Sequence, residues 1–120
     1  MNTLLLAFLI VAPKPVTAKV ADVLKTPAKF DGKAIAVKGK VAKFKAKTSK
    51  AGHDYTLFDL VDGKDKLPIY LSEKLKVAVK DGDTVTVTGK FAAERKVGDR
   101  TFKNEIDASS KGDKAFGVKK

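Results

Sequence analysis

One hundred and twenty residues are enough for a single domain with one modest core. The absence of cysteine excludes disulfides, thiolate metal sites, a cysteine nucleophile and a lipidated cysteine anchor in one step. With 25 basic against 14 acidic residues the net charge is +11, which favours polyanionic partners such as nucleic acid, anionic headgroups or acidic glycans.

The N-terminus opens with an apolar run of ten residues, Thr3 to Ala12. A bilayer-spanning helix needs about 20 such residues, so the run suits the core of a signal peptide and not an anchor. Pro13 and Pro15 end any helix there, and Val16-Thr17-Ala18 offers short side chains for cleavage. Residues 1–18 are therefore expected to be a leader, with a periplasmic or secreted domain starting at Lys19. The one missing feature is a basic residue near Met1.

Residues 19–25 place Val20, Val23 and Leu24 on one face of a short N-terminal helix. Thr26-Pro27 should stop it, and Phe30 should anchor it against the strands. The first strand is expected over Ala34 to Ala46, with Ile35, Val37, Gly39 and Val41 inward. Phe44 has the wrong parity to follow, so one bulge near Ala42-Lys43 is needed to return it to the core. Lys47 to Gly52 reads as a basic loop.

The next two strands form a hairpin, Tyr55 to Val61 and Leu67 to Leu71, joined at Asp62-Gly63. Phe58 and Leu60 point inward, as do Leu67, Ile69 and Leu71. Tyr55, Leu57, Asp59 and Tyr70 face out. Ser72 is placed to cap a short helix over Glu73 to Val79, with Leu75 and Val79 inward. Thr84 to Phe91 alternates cleanly, with Val85, Val87, Gly89 and Phe91 inside. Ala92 to Asp99 reads as a charged loop, and Thr101 to Ala108 as a last strand with Phe102, Asn104 and Ile106 on one face. Residues 109–120 read as a flexible basic tail.

These elements define an all-β fold: a five-stranded Greek-key barrel with a short helix between strands three and four and another at the N-terminus. Asp31-Gly32-Lys33 leads into Val37-Lys-Gly39-Lys-Val41. Tyr55 to Gly63 and Gly82 to Phe91 supply further strands and turn glycines. Over residues 31–108 the pattern resembles the OB-fold, and within it the anticodon-binding and single-strand-binding types. The domain proper is assigned to 19–108.

The resemblance implies a ligand across the outer face of the second and third strands, flanked by two loops. On this chain that face holds Tyr55, Leu57 and Tyr70. Lys45, Lys47, Lys50, Arg95, Lys96, Arg100 and Lys103 lie around it. Aromatics in a basic groove bind single strands without sequence preference. Arg95 and Arg100 are the only arginines, and lysine lacks the bidentate fork that reads bases, so binding should be unspecific. The expected partner is single-stranded nucleic acid or another polyanion. The alternative is a protein partner in an envelope or stress module, with lysines that only solubilise and no transmembrane anchor after cleavage.

No enzyme activity, metal or cofactor is expected. His53 is the sole histidine, in a loop, and Glu94, Asp99, Glu105 and Asp107 form no clustered carboxylate motif. Exported OB-folds include the haem chaperone of cytochrome c maturation. Its attachment motif is a C-terminal histidine with a tyrosine four residues on. Tyr55 follows His53 by two, in a different loop, so that role is not carried over.

Overall fold

The computed structural model describes residues 15–111 and 113–120. The apolar run of the expected leader lies outside the described residues. Nine elements follow in chain order: β1 Val16–Ala18, α1 Val20–Lys25, α2 Pro27–Phe30, β2 Ala34–Thr48, β3 Asp54–Asp62, β4 Asp65–Leu71, β5 Thr84–Val97, β6 Arg100–Asp107 and β7 Gly117–Lys119.

One seven-stranded sheet carries the fold, in the order β1-β2-β3-β4-β6-β5-β7, and β5 also pairs with β2. Pairing therefore passes from β2 through β3, β4, β6 and β5 back to β2. Among the described residues only β1–β2 and β4–β6 are parallel. The β4–β6 contact is the shortest, joining Ile69 to Ile106 and Tyr70 to Asp107.

β2 serves two neighbours because it bends. Ala34 to Lys40 pairs with β5, and Lys40 to Thr48 pairs with β3. The register slips between Ala42 and Lys45, and Lys43 takes a left-handed φ of 54°. The amide freed at the bulge is not left orphaned: Phe44 N–H donates to the Asp81 carboxylate at 2.9 Å. Phe44 returns against the core as the parity argument requires, stacked on Phe58 with centroids 6.3 Å apart.

Alternation places Val85, Val87 and Phe91 of β5 opposite Phe58, Leu60, Leu67, Ile69 and Leu71 in one buried cluster. Val20 and Val23 of α1 join it, and that helix packs on β3 and β4. Thr56 is buried too, with its hydroxyl donating to the Glu73 carbonyl at 2.8 Å.

Four expectations need correction. No helix forms over residues 73–79. The groups that would start it are used elsewhere: Ser72 N–H donates to Ser109 Oγ, and the Glu73 carboxylate accepts from Ser110. Those long-range bonds outcompete a weak local cap, although Leu75 and Val79 still pack against the core. Second, Ala92 to Val97 is no loop but a continuation of β5, paired with β6 as far as Val97–Arg100.

Third, the parity of β6 fails at Asn104. Its φ is 53°, and Glu105 and Ile106 are both buried in succession, so Asn104 is not a core position. Fourth, the segment read as a flexible tail contributes β7, which pairs with β5 and buries Val118. A second helical turn, α2, also follows α1 directly, since Pro27 sits where a first-turn N–H is not needed.

Candidate ligand-binding face

The register places a row of outward side chains across five strands. Lys45 of β2 faces Leu57 of β3, Leu57 faces Tyr70 of β4, Tyr70 faces Asp107 of β6, and Asp107 faces Lys90 of β5. One step along β3, Lys47 faces Tyr55. Tyr55 and Tyr70 are thus diagonal neighbours, and their rings lie 6.5 Å apart at 35°.

Arg95 extends this aromatic surface. Its guanidinium stands 5.2 Å from the Tyr70 centroid and 5.0 Å from that of Phe102, its partner across the hairpin. Such cation–π contacts hold the guanidinium between the two rings. The underside is fixed by Glu105, whose Oε1 accepts from Arg95 Nε at 2.8 Å and lies 2.7 Å from Nη2. Glu105 is only 5% exposed, so its charge depends on that partner. Tyr55, Tyr70, Arg95 and Phe102 form a continuous ladder of flat groups.

The other basic candidates lie apart from it. Lys50 sits in the turn between β2 and β3, which Ser49 closes through its N–H to the His53 carbonyl. Lys96 and Arg100 occupy the tip of the β5–β6 hairpin, and Lys103 faces Glu94. All four are exposed. Asp59, an acid on this face besides Asp107, lies 3.9 Å from Lys66. His53 is exposed, and among the described residues no three metal-binding side chains converge.

Sequence reasoning missed Phe102, read only as sharing a face with Asn104 and Ile106, and Glu105, weighed only as one of four scattered acids. Nothing local marks either. The Arg95–Glu105 pair exists because the β5–β6 hairpin is long and Asn104 turns the chain, and neither is visible in a single window.

Burial pushes the Glu105 carboxyl above its ordinary 4.5, against the Arg95 charge and hydrogen bond that draw it down, while Asp107 adds to the rise. Burial and Asp107 likewise raise the Tyr70 phenol above 10.0. For Glu105 the linkage sign follows. A carboxyl with a raised native pKa binds its proton more tightly when folded, so its contribution is full below 4.5 and lost as pH rises through the native value. Wild type should therefore lose stability relative to Glu105→Gln as pH is raised from about 4 to about 7. Urea midpoints of both proteins across that range test it. Parallel curves would mean that Glu105 titrates as it does in the unfolded chain.

No curated protein matches the sequence. Among solved structures, yeast Stn1 and Ten1 resembles it with a TM-score of 0.52 at 16% identity, over 88% of this chain and 65% of that one. A putative aspartyl-tRNA synthetase from Leishmania major Friedlin resembles it with a TM-score of 0.54 at 12% identity, over 92% of this chain and 21% of that one. The chain thus spans less than two thirds of either. These likenesses support an OB-like fold and say nothing of ligand. Sequence adds what shape cannot: the family model described as the CcmE domain matches residues 15–105, from β1 to the buried Glu105, and this chain belongs to that family.

Proposed function

We propose that the chain is a non-enzymatic binding module for single-stranded nucleic acid, held on the outer face of β3 and β4. The observation that carries the reading is the ladder of Tyr55, Tyr70, Arg95 and Phe102, with Lys45 and Lys47 along one side. Flat groups at this spacing stack bases, and lysines beside them take the phosphates without reading sequence. We read the strand ring as an OB barrel extended by β7, and by β1 until the leader is removed. The domain is placed in the envelope, where CcmE-family proteins typically reside, after a leader removed behind Ala18. That cleavage would also strip β1 from β2.

The family's role as a haem chaperone favours a second reading, haem as cargo on the same planar, cationic face. Within these 120 residues His53 is the one histidine, and the residue four positions on is Leu57 where the attachment motif has tyrosine.

Fluorescence anisotropy of a labelled oligonucleotide tests both. Affinity should fall with salt at a slope of about −0.7 per phosphate contact, and Lys45→Gln with Lys47→Gln should flatten it. Replacing Tyr55 and Tyr70 by alanine should cost about 1–3 kcal/mol per stacked base. Binding unchanged in the tyrosine pair would move the function to a protein partner, since lysines alone give salt dependence without tyrosine dependence. In the same assay, hemin that fails to displace the oligonucleotide discards the haem reading.

A further inference from the structure

The row of outward side chains ends at Lys90, and beside it opens a cleft of about 340 Å³. The cleft lies between β5, the end of β6 and the C-terminal segment. Its lining includes Lys90, Arg95 and Lys111, one carboxylate, Asp107, and the ring of Phe116. Glu105 neutralises Arg95, so two lysines against one acid leave the cleft positive, and neither Lys90 nor Lys111 makes an ion pair among the described residues.

The walls are fixed. Asp107 accepts from both the N–H and the hydroxyl of Ser109, which itself accepts from Ser72 N–H at 2.8 Å. Ala108 N–H donates to the Tyr70 carbonyl at 2.9 Å, tying this end of β6 to β4. Arg95 is held by Glu105 and two rings. The two lysines are exposed and unengaged, so they are the groups available to an incoming anion.

A ligand for this cleft needs a compact anionic group for the lysines and a flat apolar part for Phe116. The volume is at the low end of small-molecule sites, enough for one such unit. We infer that the cleft takes the phosphate-bearing terminal nucleotide of a bound strand, whose next bases continue onto Tyr70 and Tyr55. The inference rests on the proposed function for its macromolecular source. A free nucleoside monophosphate shares the chemistry and probes the cleft alone.

The test titrates adenosine monophosphate and adenosine into the full chain, followed by amide shifts in nuclear magnetic resonance. The monophosphate should bind roughly tenfold tighter than adenosine, the value of one charge-assisted contact, with shifts at Ser109 and Phe116. Lys90→Gln with Lys111→Gln should abolish that preference. Tyr55→Ala, at a ring that neither lines the cleft nor touches Arg95, should keep it, which separates failure of the cleft from failure of the ladder. Equal affinity for the two compounds, or no saturable shift with either, overturns the inference. A second arm compares oligonucleotides with phosphate and hydroxyl ends. The phosphorylated end should bind roughly tenfold tighter, and equal binding assigns the cleft to free nucleotides and overturns the strand-terminal assignment.

Discussion

Val87→Asp should cost about 3–5 kcal/mol, whereas Thr86→Asp, one residue away, should stay within about 0.5 kcal/mol of wild type. Val87 is fully buried, facing Val37 on β2 and Val118 on β7. A carboxylate there meets only hydrocarbon, with no cation to compensate it. Thr86 points the other way, between Lys38 and Lys119 on the neighbouring strands, so an added carboxylate finds positive charge on both sides. Single domains are stable by about 5–15 kcal/mol, so the first change removes a large share of the total. Thermal and urea melts of the pair decide it. Two mutants that melt alike would mean that the inward parity of β5 is wrong.

That parity is the part of the fold most legible in the sequence. Where one face of a strand is buried, a period of two writes the orientation of every residue, as in Val85, Val87 and Phe91, or in Leu67, Ile69 and Leu71. The bulge in β2 was legible for the same reason, because Phe44 breaks the period by one. The same period places Tyr55, Leu57 and Tyr70 outward, and they share the candidate face.

What was not legible depends on contacts distant in the chain. Ser72 and Glu73 carry good local signals for a helix start, yet their partners, Ser109 and Ser110, lie 37 residues on. A window of a dozen residues cannot see that competition. The same holds for β7, which is too short to show a period and is a strand because β5 offers it an edge. The Arg95–Glu105 pair needs the hairpin register, and the buried Glu105 needs the left-handed turn at Asn104. Basic residues were therefore easy to find and hard to group. Arg95 joins the ladder, while Lys96, Arg100 and Lys103 do not.

Gly89→Ala should be the second most damaging of these changes, at about 1–3 kcal/mol or somewhat more, and its damage should be directed at the site. The backbone of Gly89 is ordinary strand, so alanine meets no conformational penalty there. Space is the obstacle. A Cβ would lie 2.4 Å from the Asp107 carbonyl oxygen and 2.8 Å from Ala108 Cα. Both are backbone atoms, so no flexible side chain can swing aside, and β6 must move. That end of β6 is held to β4 by the shortest contact in the ring, Ile69–Ile106 and Tyr70–Asp107. Moving it loosens the bond from Ala108 N–H to the Tyr70 carbonyl and shifts Asp107, a wall of the cleft. Gly32→Ala is the comparison: its Cβ would meet nothing within 4 Å, but its φ is +77°, so it carries only a backbone cost of about 1 kcal/mol. Hydrogen exchange distinguishes the two. Gly89→Ala should lose protection at the Ala108 amide well before global unfolding, while Gly32→Ala should lower protection evenly with stability. If Gly89→Ala keeps wild-type exchange at Ala108, the β5–β6 approach has room to spare, and the cleft does not depend on a glycine at its base.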